Sequence, residues 1–144
     1  MSTSRPVQPD PAADPLAWLR ENSGELVKQM GIRYEDASVD SVVASMPVAG
    51  NRQGYELLHG GASVVLAETV GSALAVLATG FAKQAVGLEV NASHHRSARS
   101  GHVRAVARVD HLGRTAATVA VTITDDQDRR VCSCRITCIL RDRS

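Results

Sequence analysis

The stretch of sequence that decides the fold is residues 60–82, GGASVVLAETVGSALAVLATGFA. Glu68 is its one ionisable side chain, and Lys83 is the next along the chain. A helix that is apolar on nearly all sides is typical of a buried central helix. The length would also suit a membrane span, but the many Ala, Gly, Ser and Thr residues favour a protein core. Gly80 predicts the C-terminal end of this helix.

Strand-like segments flank the long helix on both sides. Residues 32–36 and 41–48 precede it, after a short helix that Asp14 and Pro15 begin. Four segments with apolar residues at every second position follow it, which predicts strands buried on one face. These apolar positions are Val86, Leu88, Val90 and Ala92; Val103, Ala105, Ala107 and Val109; Ala117, Val119, Val121 and Ile123; and Cys132, Cys134, Ile136, Cys138 and Leu140. The order predicts an α+β fold with an antiparallel sheet and helices on one face.

The composition limits the classes of function. The 144 residues suit one domain, with residues 1–13 as a disordered N-terminal extension and 14–144 as the domain. A net charge of +1 and 3% aromatic residues argue against nucleic-acid binding and against a polybasic membrane binder. Three clustered cysteines and no apolar secretory segment favour the cytoplasm.

Two polar side chains stand out on the apolar helix. Glu68 and Ser72 are four residues apart and share a face. A buried carboxylate is costly unless it is paired or functional. The alternatives are a surface-facing stripe, or a glutamate neutralised by an arginine, and these stay open.

The start of the helix is a second candidate site. His59, Gly60 and Gly61 would place unobstructed backbone amides at a helix N-terminus, which suits a developing oxyanion; a simple turn into the helix is the alternative. Gly60 and Glu68 would lie roughly 12 Å apart along one helix, so they cannot both address one carbonyl from one chain. If both act in one site, the protein is a homodimer.

A basic band lies downstream, at residues 94–114. It has five arginines against a single acid, and four of the five histidines in the chain. Arginine suits phosphate, although a solvated strand face is the alternative. His94 and His95 are adjacent and no zinc spacing is present, so we expect no metal site. The cysteines are expected to be core residues.

Four segments of the chain resemble one known family. Residues 53–68 (QGYELLHGGASVVLAE), 86–105, 110–115 (DHLGRT) and 131–137 (VCSCRIT) are similar to the hotdog-fold acyl-CoA thioesterases of the phenylacetate type. The enterobactin-proofreading, dihydroxynaphthoyl-CoA and Arthrobacter-type 4-hydroxybenzoyl-CoA thioesterases belong to this type. The resemblance spans residues 31–140. It implies an antiparallel sheet wrapped around one long central helix, active sites at a dimer interface, and dimers joined as homotetramers.

The resemblance also implies roles for individual residues. Glu68 matches the catalytic carboxylate, as nucleophile or general base, and the Gly60 amide polarises the thioester carbonyl. Gln53 and His59 orient the thioester and the leaving thiolate, and the Ser72 hydroxyl helps place the attacking water. The positions that match segments holding CoA are Gly87, His94, His95, Arg96, Ser97, His111, Leu112, Gly113, Arg114, Thr115 and Ala116.

The function predicted from the resemblance is hydrolysis of an acyl- or aroyl-CoA thioester, with an acyl carrier protein thioester as a further substrate. No cofactor is expected, because CoA is part of the substrate. The scarcity of aromatic residues predicts an acyl pocket lined by aliphatic side chains and leaves an aryl preference open. The alternative is a non-catalytic hotdog module that binds acyl-CoA as a sensor or partner surface. A hotdog hydratase would carry a different acid–histidine pair, which the sequence lacks.

Overall fold

The computed structural model describes residues 10–144, and it has three helices and six strands in that range. All neighbouring strands are antiparallel, and they form one sheet in the order β1-β2-β4-β5-β6-β3. The elements are α1 (Pro15–Glu21), α2 (Gly24–Gln29), β1 (Arg33–Ala37), β2 (Ser41–Pro47), α3 (Gly60–Ala78), β3 (Lys83–His94), β4 (His102–Leu112), β5 (Ala116–Asp125) and β6 (Arg130–Asp142). The sheet wraps around α3, which confirms the predicted α+β hotdog fold.

Helix α3 is the centre of the core. It packs against strands β2 to β6, and Leu66, Val70 and Leu74 are fully buried. A Cβ atom on Gly71 would lie 2.6 Å from Cδ1 of Ile136, so the glycine lets the helix approach β6 closely. By length and composition α3 could cross a membrane, the one such helix within residues 10–144. Its apolar side chains pack on the sheet instead, as the sequence predicts.

The short helices close the end of the core. The Asp14 carboxylate accepts a hydrogen bond from the N–H of Ala17 (2.9 Å), which caps α1 as expected. Trp18 packs edge-on against Phe81, with 5.1 Å between ring centroids, and so ties α1 to the end of α3. Of the predicted N-terminal extension, residues 1–9 lie outside the described range, and residues 10–13 form a turn that leads into α1.

Strand β3 departs from the predicted alternation. Gly87 pairs with Cys138 and Glu89 with Thr137, so Leu88 is the extra residue of a β-bulge. The bulge reverses which parity faces the helix, because one inserted residue moves every later side chain to the other face. Val86 and Leu88 are therefore 45% and 63% exposed rather than buried. Because β3 is an edge strand, its exposed apolar side chains lie beside unpaired backbone groups.

Candidate active site

The N-terminus of α3 is a fixed and open end. The Nδ1 atom of His59 accepts a hydrogen bond from the N–H of Gly61 at 2.8 Å, so this side chain caps the helix. A neutral His59 ring therefore carries its proton on Nε2. Within residues 10–144, no group accepts a hydrogen bond from the N–H of Gly60. This amide, at the positive end of the helix dipole, is available to a ligand oxygen.

His94 lies directly against Gly60. A Cβ atom on Gly60 would be 2.9 Å from Nε2 of His94, so position 60 has no room for a side chain. Beside them is a cavity of about 330 Å³, which His95, Arg96 and Ser97 also line. Gly60 and the predicted CoA-binding residues 94–97 are therefore brought together. His95 is oriented by a hydrogen bond between its Nε2 and the Ser133 hydroxyl (2.9 Å).

Glu68 lies in the middle of α3 and reaches toward β3. A Cβ atom on Gly87 would be 2.8 Å from Oε1 of Glu68. The expectation of a buried carboxylate is wrong for the isolated chain, because the Glu68 side chain is exposed: it projects toward the edge strand, where the sheet ends. Ser72 is half-buried one turn further along α3. No described Lys, Arg or His nitrogen lies within 4.0 Å of the Glu68 carboxylate.

The loop before α3 positions Gln53 and His59. Oε1 of Gln53 accepts a hydrogen bond from the N–H of Tyr55, which leaves the side-chain NH₂ free to donate. Asn51 fixes the loop: its side-chain NH₂ donates to the carbonyls of Met30 and Pro47 (2.8 Å each), and its carbonyl accepts from the N–H of His59 (2.9 Å). The sequence reading missed Asn51, since its partners are not its sequence neighbours.

The second predicted CoA segment, residues 111–116, lies elsewhere in the protomer. It forms the β4–β5 turn, where the Thr115 carbonyl accepts from the N–H of Leu140 (2.9 Å) and the Arg114 carbonyl from Nζ of Lys83 (2.7 Å). Lys83 and His94 are the two ends of β3. At about 3.3 Å per residue, the two segments are roughly 36 Å apart, so one protomer does not bring them together.

The basic band divides between two surfaces. Arg96, Arg99 and Arg129 line a cavity of about 340 Å³ next to the first one. Arg104 lies on β4 and forms an ion pair with Glu35 (3.0 Å). The band is therefore not one phosphate site. Its part near residue 96 lies beside the active-site cavity, and its β4 part is the exposed strand face that the sequence left as an alternative.

An apolar cavity of about 440 Å³ lies on the other side of the helix N-terminus. Met30, His59, Gly61, Ala62 and Val65 line it, together with Asn51 and Arg52. The Gly60–Gly61 amides thus lie between a polar cavity and an apolar one. A thioester bound across these amides would have CoA on one side and its acyl group on the other.

The cysteines are core residues, as predicted. Cys132, Cys134 and Cys138 are buried and free, and Sγ atoms of the first two lie 3.4 Å apart. In the described part of the chain, no three or more His, Cys, Asp or Glu side chains are grouped as a metal site would require.

The fold and the site define a hotdog enzyme that acts on a carbonyl group held at a helix N-terminus. The sequence profile of the Thioesterase superfamily matches residues 55–132. The 1,4-dihydroxy-2-naphthoyl-CoA hydrolase of Escherichia coli is 45% identical over 115 residues, 79% of this chain and 85% of that protein. A proofreading thioesterase of Cronobacter turicensis is 44% identical over 114 residues, 78% of this chain and 83% of that one. The chain belongs to the Thioesterase superfamily, and it is a thioester hydrolase.

Solved structures agree with this assignment. A thioesterase from Haemophilus influenzae superposes with a TM-score of 0.84 at 36% identity and covers 88% of this chain and 90% of its own. A thioesterase variant from Pseudomonas aeruginosa has the same TM-score of 0.84 at 39% identity and covers 96% and 98%. The predicted family resemblance and hotdog fold are confirmed.

Proposed function

We propose that the protein hydrolyses acyl- or aroyl-CoA thioesters to the free acid and CoA. The observation that carries this proposal is the free N–H of Gly60 at the start of α3, beside a cavity lined by His94 and Arg96. An amide at that position stabilises the oxyanion that forms when a thioester carbonyl is attacked. The relatives named above act on thioesters of the same kind.

The attacking group is the Glu68 carboxylate of a second subunit. On one helix Gly60 and Glu68 are roughly 12 Å apart, too far to address one carbonyl. Antiparallel pairing of two β3 edge strands about a two-fold axis supplies the missing carboxylate. Glu68 lies at Gly87 and Gly60 at His94, so an axis midway between Gly87 and His94 places each Glu68 beside the partner's Gly60.

The same pairing explains the divided CoA segments. It would bring the Lys83 end of one β3, with its adjoining turn 111–116, toward residues 94–97 of the other subunit. It would also cover the exposed apolar side chains of Val86 and Leu88. The phosphates of CoA would then lie between basic groups from two subunits.

Hydrolysis follows from these positions. The Gly60 N–H donates to the thioester oxygen, and Glu68 of the partner subunit attacks the carbonyl carbon to give an anhydride, or it deprotonates a water that attacks. Ser72, one turn from Glu68, would hold that water. The free Nε2–H of His59 and the free NH₂ of Gln53 can donate to the substrate and to the leaving thiolate.

Release of free thiol from a panel of CoA esters tests this function. Acetyl, octanoyl, benzoyl, hydroxybenzoyl and dihydroxynaphthoyl esters cover the aliphatic and aryl classes, and an acyl carrier protein thioester extends the panel. Because the three cysteines are buried, they should add little background to a thiol-reactive dye. Tight binding of these esters without thiol release would favour a non-catalytic binding module instead.

Changing Arg96 to Ala should weaken binding of CoA esters more than it slows their hydrolysis. Arg96 is exposed and lines both polar cavities, where a charge-assisted hydrogen bond to phosphate contributes about 1.5–3 kcal/mol. KM should rise about tenfold with kcat nearly unchanged, and the difference should shrink at high salt. Lys28→Ala, on α2, is the control. An unchanged KM would exclude Arg96 from the CoA site.

Filling the apolar cavity should change which acyl groups are accepted. In Val65→Phe the larger side chain would occupy space beside Met30 and Ala62, so kcat/KM for octanoyl- and benzoyl-CoA should fall about tenfold or more, while acetyl-CoA is little affected. Val76→Phe, near the other end of α3 and also half-buried, is the control. An equal loss for all chain lengths would show that this cavity does not hold the acyl group.

The remaining proposals concern assembly and setting. The functional unit is the homodimer described above, and two dimers join as a homotetramer. The enzyme acts in the cytoplasm and uses no metal or other cofactor. Size-exclusion chromatography with light scattering tests the assembly, and activity after prolonged treatment with a chelator tests the independence from metal.

A further inference from the structure

Gly87 occupies a position where a side chain would collide with the Glu68 carboxylate. A Cβ atom built on Gly87 would lie 2.8 Å from Oε1 and 3.8 Å from Cδ of Glu68. The first distance is well below a van der Waals contact. The volume that holds the carboxylate is therefore the volume that any residue other than glycine would fill.

The bulge in β3 turns Gly87 toward the helix. Ala85 packs against the core before the bulge, and Val90 and Ala92 do so after it. Leu88, the extra residue, points outward. Bulges commonly redirect side chains next to active sites. Here the bulge lets an edge strand present a backbone without a side chain to Glu68.

The surroundings of the carboxylate are otherwise neutral. The strand partner of Gly87 is Cys138, which is fully buried. Burial raises the pKa of the Cys138 thiol, and the nearby charge of Glu68 adds to the rise. Within residues 10–144 no salt bridge or hydrogen bond involves the Glu68 side chain. The position of the carboxylate is therefore set by the shape of its surroundings and not by a charged partner.

We propose that Gly87 is a positioning residue for thioester hydrolysis, and that its missing side chain provides the space in which the Glu68 carboxylate is held. This rests on the proposed catalytic role of Glu68. It differs from the role that the family resemblance implies for Gly87, which is to hold the pantetheine of CoA. A carboxylate-positioning role affects kcat, whereas a pantetheine contact affects binding.

Alanine at position 87 is a clean probe, because the backbone of Gly87 is not in the left-handed region. The atom in the way is the far end of an exposed side chain, so the carboxylate and not the backbone should move. Gly54→Ala is the matched control: a Cβ atom there has no neighbour within 4 Å, and its backbone is also outside the left-handed region.

Gly87→Ala should lower kcat about 100-fold, because a misplacement of about 1 Å can cost that factor. The dissociation constant of free CoA, measured by calorimetry, should stay within about twofold, and the melting temperature should stay close to that of the wild type. Gly54→Ala should match the wild type in all three measurements. The melting curve and the oligomeric state of Gly87→Ala serve as structural checks.

A double-mutant cycle with Glu68→Asp tests whether the effect passes through the carboxylate. The shorter aspartate no longer reaches the added methyl group, so Gly87→Ala should change kcat less than about twofold in that background. An unchanged kcat in the single variant, a raised KM with normal kcat, loss of the folded state, or the same 100-fold loss in both backgrounds would overturn the proposal. If Glu68→Gln kept full activity, the proposed function of Glu68 would fail instead.

Discussion

Replacing Glu68 by Gln should lower kcat for CoA thioesters about 1000-fold. The substitution keeps the size and shape of the side chain but removes the charge that attacks the carbonyl or accepts a proton from water. General acid–base catalysis by one positioned group typically contributes about 10²–10⁴-fold. KM should change little, since Glu68 contacts none of the residues that line the polar cavity. Thiol release under saturating substrate measures the loss.

The control for this prediction is Glu21→Gln, which neutralises an exposed carboxylate at the end of α1. It should retain wild-type kcat, and both variants should melt like the wild type. A Glu68→Gln enzyme with normal turnover would remove Glu68 from the mechanism and leave the free Gly60 amide as the main feature of the site.

Two inactive variants should restore activity when their subunits are mixed. Gly60→Val blocks the helix N-terminus, because even a Cβ atom would lie 2.9 Å from the His94 ring, and Glu68→Gln removes the carboxylate. If each site takes Gly60 from one subunit and Glu68 from the other, every hybrid dimer has one intact site. Equimolar co-refolding makes about half of the dimers hybrid, so activity should recover to about a quarter of the wild-type value.

Mixing each variant with itself is the control, and it should give no recovery. Co-refolded mixtures that contain hybrid dimers but stay inactive would show that both groups act within one chain. That outcome would contradict the pairing of β3 edge strands, while the assignment of Glu68 would still be decided by the single variant.

The sequence predicted the central helix and the sheet well, because both depend on local periodicity. The isolated Glu68 in an otherwise uncharged stretch marked α3, and alternation along residues 103–109, 117–123 and 132–140 marked three strands that the structure confirms. The alternation failed at Val86 and Leu88, since a bulge depends on how β3 pairs with β6 and leaves no periodic signal.

The site was predicted in part. Gly60 and His59 were found from a glycine pair at a helix start, and the basic residues near Arg96 from their charge. Asn51 was missed, because it acts through hydrogen bonds to carbonyls that are distant in sequence. The exposure of Glu68 was also missed, because it depends on where the sheet ends and not on the residues of α3.

The sequence by itself therefore determined which side chains the protein has for chemistry and which elements hold them. It also determined that Gly60 and Glu68 are too far apart on one helix to share a substrate, since the rise of an α-helix is fixed. Only the tertiary structure decided what lies against each of them: His94 against Gly60, and Gly87 against Glu68. The reason is that these contacts form across the sheet, between segments whose approach depends on strand order and on one bulge, which local sequence patterns do not specify.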